Sequence, residues 1–394
     1  MKKLNYLAAC GLMLTAVLTF VSCSDDDEYT NPSYAALGIP NDDEATEAPV
    51  ITTSTITLPN SAVTVKTEKG HSYLSIDMTG VWDETAGAWM RLIGTADKTK
   101  QNIWVTIDNT PKGIDVYNNA DDNSRTMLAD VVFLVDNSGS MSEEANAVAN
   151  SIMAWSNTLV QSGLDIQVGC VGYGDSSHAI DGGLNLTTPD MLKNYLDRST
   201  GTSRTKGFEG NDAQALHDLA NTSQKYENGS YNECGMVALH FAHDNYKFRG
   251  GANRIYVNFT DEPNQPNGVS KWSVEYLNPE NNYWKTNNGT IHTVYSGYER
   301  DDYSYWSAYD EKPWLMSAYT GGTNIFTDRN AANWDLTTLP VTGAMQNSAV
   351  IRCTNLDALK DGAVHNIKIT VQSLDKNVRA EKVIRFNFTT GQEE

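Results

Sequence analysis

The chain has 394 residues, 49 of them Asp or Glu against 29 Lys or Arg, for a formal net charge of −20 at pH 7. That balance argues against nucleic acid and anionic membrane surfaces as partners and suits a cation site. The length leaves room for two domains.

Residues 1–23 read as a targeting segment. Lys2 and Lys3 precede an apolar stretch, Leu4 to Val21, that is short for a spanning helix and ends in small residues at a cysteine. Phe20-Val21-Ser22-Cys23 resembles the lipobox of bacterial lipoproteins, with Phe for the usual Leu. The resemblance implies a lipidated Cys23, a membrane reached through that N-terminal anchor and no transmembrane helix in the mature protein. Ser24-Asp-Asp-Asp-Glu28 resembles the surface-export signal of Bacteroidetes lipoproteins, implying an outer-membrane lipoprotein exposed at the cell surface. Residues 24–49 carry eight acidic residues, no Lys or Arg, and Pro32, Pro40 and Pro49, so a disordered tether is expected.

Residues 50–124 read as the first part of a β-rich domain. Ile56-Thr-Leu58, Val63-Thr-Val65, Tyr73 to Met78, Ile103 to Ile107 and Ile114-Asp-Val116 are short, β-rich and separated by turn residues. Residues 335–394 share the texture: Ile367 to Val371 and Ile384 to Phe388 alternate around a turn at Asp375-Lys-Asn377. The flanks are expected to form one β-sandwich-like domain split by residues 128–330, since a split domain leaves no short, unstable terminal pieces.

The intervening segment opens on the apolar run Val131 to Val135, which ends in Asp136-Asn137-Ser138-Gly139-Ser140. Such a run reads as a buried strand of a parallel sheet. The loop then lies at the strand's carboxyl end, where open α/β sheets place ligands. Ala145, Val148, Ile152, Trp155 and Leu159 follow helical spacing and are expected to face the sheet. Tyr231 to Tyr246 reads as another helix and Ile291 to Ser296 as a further strand. The alternation predicts an α/β fold class with a doubly wound, mostly parallel sheet. In the loop, one carboxylate and two hydroxyls at alternate positions can turn three oxygens toward one point. Hard oxygen donors of low charge suit Mg²⁺ or Mn²⁺, with Ca²⁺ as the alternative. The same residues would also serve as a helix N-cap.

Asp136, Ser138 and Ser140 match the Asp-x-Ser-x-Ser motif of the von Willebrand factor type A family. Arg254 to Asp261 resembles that family's fourth strand with its terminal Thr-Asp pair, Leu164 to Asp175 its second strand and following turn, and Ser317 to Phe326 its last helix-to-strand passage. The resemblance spans residues 128–330. It implies that Ser138 and Ser140 ligate a metal directly and that Asp136 and Asp261 help directly or through water. It also implies one more hydroxyl from a loop. Glu227 to Leu239 holds that loop's place without a Thr; Ser230 is the nearest hydroxyl and Glu233 a substitute carboxylate. On this reading a carboxylate from a protein or glycan ligand completes the metal's shell, giving an adhesion-like binding protein. Tyr173 and Asp175 in one loop, and Tyr303, Tyr305 and Trp306 in another, are candidate ligand contacts. The alternative is a structural or assembly subunit of a surface appendage or envelope complex.

An enzyme is not expected. Ser138 as a nucleophile needs a positioned His, and no nucleophile-elbow pattern is present. His240 and His243 are three apart but lack a metalloprotease motif. Outside the leader, Cys170, Cys234 and Cys353 are an odd number and not a disulfide framework; Cys170, in an apolar strand, reads as a buried core thiol, which leaves Cys234 and Cys353 as a candidate pair in an oxidising compartment.

Overall fold

Runs of β-branched and aromatic residues punctuated by turn residues form most of this chain's regular structure. In the computed structural model, residues 37–121, 127–161, 164–175, 178–197, 224–226, 233–297, 306–328, 337 and 340–394 are described. The first flank supplies β1 (Ser61–Glu68), β2 (His71–Met78), β3 (Trp82–Asp83), β4 (Ala88–Trp89), β5 (Ile103–Ile107), β6 (Thr110–Pro111) and β7 (Ile114–Asn118). The middle supplies β8 (Leu128–Asp136), β9 (Asp165–Asp175), β10 (His178–Thr187), β11 (Asn253–Thr260), β12 (Thr290–Ser296) and β13 (Asn324–Thr327). The last flank adds β14 (Ala349–Cys353), β15 (His365–Gln372), β16 (Arg379–Asn387) and β17 (Gln392–Glu393).

The flanks pair with each other. β14 lies between β2 and β7, with Ile351 opposite both Ile76 and Val116. β15 pairs with β5, placing Ile369 opposite Val105. Leu74, Ile76, Ile103, Val105, Ile351, Ile367, Ile369 and Phe386 share one core between these two sheets, ordered β1-β2-β14-β7 and β17-β16-β15-β5-β6.

The third sheet runs β10-β9-β8-β11-β12-β13. Val131, Phe133 and Val135 pack with Val148, Ile152 and Trp155 of helix Ser142–Gln161. Val132 and Leu134 enter a separate core with Met236, Leu239 and Phe241 of helix Gly235–Asn245. The side chains of Ala145 and Leu159 lie outside the described residues. Trp155 donates its indole N–H to Thr342 of helix Pro340–Gln346, whose Val341 and Met345 join the same core. That helix stands where the sequence reads as β-rich, and it ties the last flank to the middle segment. Among the described residues no helix is long and apolar enough to cross a membrane.

The expected fold class, an α/β fold with a doubly wound, mostly parallel sheet, is corrected for the chain. Among the described residues, three of the four sheets are antiparallel throughout, and seventeen strands stand against five α-helices. Among them, parallel pairing is confined to four strand pairs of one sheet, which carries the antiparallel hairpin β9–β10 at its edge. The chain is a β-rich α+β architecture. The reason is local: alternation with turn residues recurs through both flanks, whereas a long helical period is confined to the middle.

Three smaller expectations also change. Residues 24–49 do not form a tether from 37 onward. Leu37 and Ile39 pack with Tyr73, and Asp42 accepts a 2.6 Å contact from the buried Lys112. A partner for the acidic run thus comes from a strand-connecting loop some 70 residues away. Ile56 to Leu58 is not a strand, because Thr55 instead exchanges hydrogen bonds with Arg379 at the start of β16. Cys234 and Cys353 are free and belong to different cores.

Two predictions follow from ion pairs in this framework. Asp130 at the start of β8 is fully buried and takes the backbone N–H of Arg249 at 2.6 Å and its Nε at 2.7 Å. Arg249→Met removes the guanidinium from that buried carboxylate, leaving it the backbone N–H, and should cost about 3 kcal/mol in urea unfolding. His365 sits 2.6 Å from Asp108 and 3.1 Å from Asp361, contacts that raise its pKa above the usual 6.5. A raised histidine pKa contributes stability that is full below the unfolded value and lost as pH rises through the folded one. His365→Gln should therefore lower Tm by a few degrees near pH 5.5 and by much less near pH 9; an equal deficit at both contradicts the pairing.

Candidate functional site

The chain leaves β8 at Asp136, whose side chain is completely buried, and turns through Ser138 and Ser140 into helix Ser142–Gln161. The turn is tied down by its own backbone. Asn137 donates its N–H to the carbonyl of Tyr173 on β9 at 2.7 Å, Ser138 donates its N–H to Asp136 Oδ1 at 3.0 Å, and Met141 donates to the carbonyl of Ser138. The adjacent parallel strand β11 ends in Thr260, which donates its hydroxyl to Asp136 Oδ2 at 2.7 Å and accepts the N–H of Glu262. The hydroxyls of Ser138 and Ser140 lie 3.0 Å apart, and Ser140 donates to Asp261 Oδ1 at 3.0 Å. Asp136, Ser138, Ser140 and Asp261 are therefore brought together across two strand ends and 125 residues of sequence (136 to 261).

Glu233 stands beside this group, just before helix Gly235–Asn245, with its backbone carbonyl accepting from Gln265. Gly174 is the hinge of the approach: at φ +92° it lies so close that a Cβ there would sit 3.0 Å from both Asp136 Oδ1 and Glu233 Cγ. Burial and the charge of Asp261 push Asp136 up to about 7. Burial, then Asp136, Glu262 and Asp261, push Glu233 up to about 8. What opposes these shifts is hydroxyls and a backbone N–H, not Lys or Arg. Acids crowded this way without a cationic side chain offer hard oxygen donors to a cation. Among the described residues no group of three or more His, Cys, Asp or Glu is disposed to hold a metal. The donor set is instead two carboxylates and two serine hydroxyls, which fits a small divalent ion with places left for water or a partner.

Other expected site residues are placed differently. Tyr173 is 1 % exposed and donates its hydroxyl to Asn258 at 2.9 Å, so it supports the turn from behind rather than meeting a ligand. Asp175 ends β9, with its side chain outside the described residues. Trp306 lies near Trp314, whose ring also meets Tyr295 and Phe326. Ser230, Tyr303, Tyr305 and Cys23 fall outside the described residues. His240 packs among Trp272, Tyr276 and Trp284, and burial lowers its pKa to about 3. Sequence reasoning passed over Thr260 as a site residue, although its place directly before Asp261 at a strand end was the available signal. It also missed Glu144, one turn into the helix, which accepts from Ser296 at the end of β12.

No protein-family model matches the chain, and no curated protein matches it. Among solved structures it is similar to the pilus adhesin SpaC from Lactobacillus rhamnosus GG, at 10 % identity and a TM-score of 0.33, over 85 % of this chain and 55 % of that one. The open conformation of SpaC is matched at 10 % identity and a TM-score of 0.30, over 82 % and 54 %. The chain thus spans about half the length of these structures, and neither likeness assigns it a fold or a function.

Gly174→Ala tests the packing of this corner. The new methyl must displace a carboxylate or the Glu233 stem at a backbone angle that suits glycine. The variant should lose more than about 1 kcal/mol in urea unfolding.

Proposed function

We propose that the protein binds an acidic group of a partner, on a protein or a glycan, through a divalent cation held by Asp136, Ser138, Ser140 and Asp261. The observation that carries this reading is the chain of contacts from Asp136 through both serines to Asp261, in a corner where the carboxylates repel one another. It agrees with the resemblance of the Asp-x-Ser-x-Ser loop and the Thr-Asp pair to the von Willebrand factor type A motif. Mg²⁺ or Mn²⁺ would supply a positive centre with exchangeable positions. Ser138 and Ser140 present neutral oxygens, which preserve that positive charge. Thr260 holds Asp136 by one oxygen, and Tyr173 and Asn258 brace the turn from below. Glu233 or Ser230 would complete the protein's share of the donors.

The reading is of binding without turnover. Ser138 Oγ meets another serine hydroxyl, not the imidazole that would activate a nucleophile. Lipidation at Cys23 and the acidic residues after it would hold the protein at the outer membrane, facing outward, so that an adhesion-like role follows.

Calorimetric titration of Mg²⁺ and Mn²⁺ into the mature chain tests the site. The parent should bind saturably, Asp136→Ala should not bind, and Ser230→Ala should weaken binding if that hydroxyl completes the shell. Metal at about a hundredfold over Kd should stabilise the parent by about 2.7 kcal/mol in thermal unfolding and leave Asp136→Ala unmoved. Heatless titrations together with an unchanged Tm at millimolar metal, or a response that Asp136→Ala retains, would overturn the assignment.

A further inference from the structure

A cleft of about 960 Å³ opens where the flanking sheets meet the amino ends of β12 and β13. It lies at the opposite end of the third sheet from Asp136 and Asp261, which follow the carboxyl ends of the parallel strands β8 and β11. One wall is the two-strand hairpin β3–β4, where Trp82 pairs with Trp89 across the strands. The two indoles meet edge to face, with centroids 5.1 Å apart. Trp82 remains 41 % exposed and lines the cleft. Trp89 is held against helix Pro340–Gln346 at Gly343, where a Cβ would come within 2.3 Å of its Nε1. The hairpin thus offers a fixed aromatic platform.

The floor supplies the polar half. His292 on β12 is 1 % exposed, and its Nδ1 accepts the backbone N–H of Thr323 at 3.1 Å and lies 2.8 Å from the Thr323 hydroxyl. Because Nδ1 accepts, the proton of the neutral ring resides on Nε2. Nε2 is buried and has no hydrogen-bond partner among the described residues. A buried N–H without an acceptor is costly, and an acceptor oxygen entering the floor relieves it. Thr79, Asn324 and Gln346 add hydroxyl and amide groups to the lining, where Glu84 is the one formally charged side chain among the described residues.

We propose that this cleft binds a neutral saccharide unit, its C–H face on Trp82 and Trp89 and its hydroxyls toward His292 and the surrounding amides. Neutrality follows from the described lining residues, among which no Lys or Arg stands to receive an acidic sugar, and from the chain's excess of negative charge. An apolar ligand would leave the hydroxyls, amides and the His292 N–H unmatched. The site requires no metal and stands apart from the acid-and-hydroxyl corner.

A glycan array probed with the full protein, in buffer with and without EDTA, tests this. The neutral glycan retained best is then titrated by tryptophan fluorescence. Retention of a neutral glycan should survive EDTA and weaken about tenfold or more in Trp82→Ala, which should stay folded with a Tm only a few degrees below the parent because the ring is partly exposed. His292→Leu should weaken it as well, and Asp136→Ala should not. No retention of any neutral glycan, affinity unchanged in Trp82→Ala, loss of binding in EDTA, or retention of acidic glycans alone would each overturn the proposal. Loss of metal binding in Asp136→Ala with glycan binding intact would separate this site from the cation site.

Discussion

From Val131 to Val135 every side chain of β8 is excluded from solvent, odd positions entering one core and even positions the other. A one-residue slip would exchange those two sets, and parallel pairing with both β9 and β11 holds the register against it. Each buried side chain of this kind contributes roughly 1.5–3 kcal/mol. Together they drive β8 deep enough to place Asp136 out of solvent. The strand's apolar packing therefore sets the position of the acid, and the turn, the Thr260 contact and the serine hydroxyls are arranged around it.

The same strand carries a second buried acid at its other end, and the contrast is informative. Asp130 is met by the guanidinium and backbone N–H of Arg249, which supply the charge and hydrogen bonds that a buried carboxylate needs. Asp136 is met by hydroxyls, one N–H and the repulsion of Asp261. One end of β8 is built as a closed structural pair. The other gathers carboxylates and hydroxyls, with Asp261 raising the pKa of Asp136 where Arg249 offsets the charge of Asp130.

The third sheet also links two surfaces that differ in chemistry. β12 carries His292 near its beginning and Ser296, bonded to Glu144, at its end. The acidic corner gathers charge and hydroxyls at the carboxyl ends of the strands. The cleft at the amino ends combines indole rings with neutral polar groups. Its walls come from the first flank, the sheet and helix Pro340–Gln346 together, so it exists only because β14 and β15 return to pair with β2, β7 and β5.

Much of this was legible in order along the chain. The unbroken run before Asp136 marked a buried strand, the Asp-x-Ser-x-Ser spacing marked the turn, and alternation in Ile367 to Val371 and Ile384 to Phe388 marked a hairpin. The weight of antiparallel sheet across the whole chain was not, because short strands name their partners only through pairing at long range. Tyr173 looked like a loop aromatic, yet its ring turns inward to Asn258, since side-chain direction depends on what packs behind the strand. Trp82 and Trp89 drew no notice, as nothing local distinguishes a packed indole from an exposed one. The sequence by itself determined which segments bury apolar surface and which residue types stand at the strand ends, because periodicity and turn chemistry act over a few residues. Only the tertiary structure decided that Asp261 joins Asp136, that Lys112 anchors the acidic run at Asp42, and that His292, Trp82 and Trp89 line one cleft. Those are contacts between residues far apart in the chain, fixed by how the layers pack.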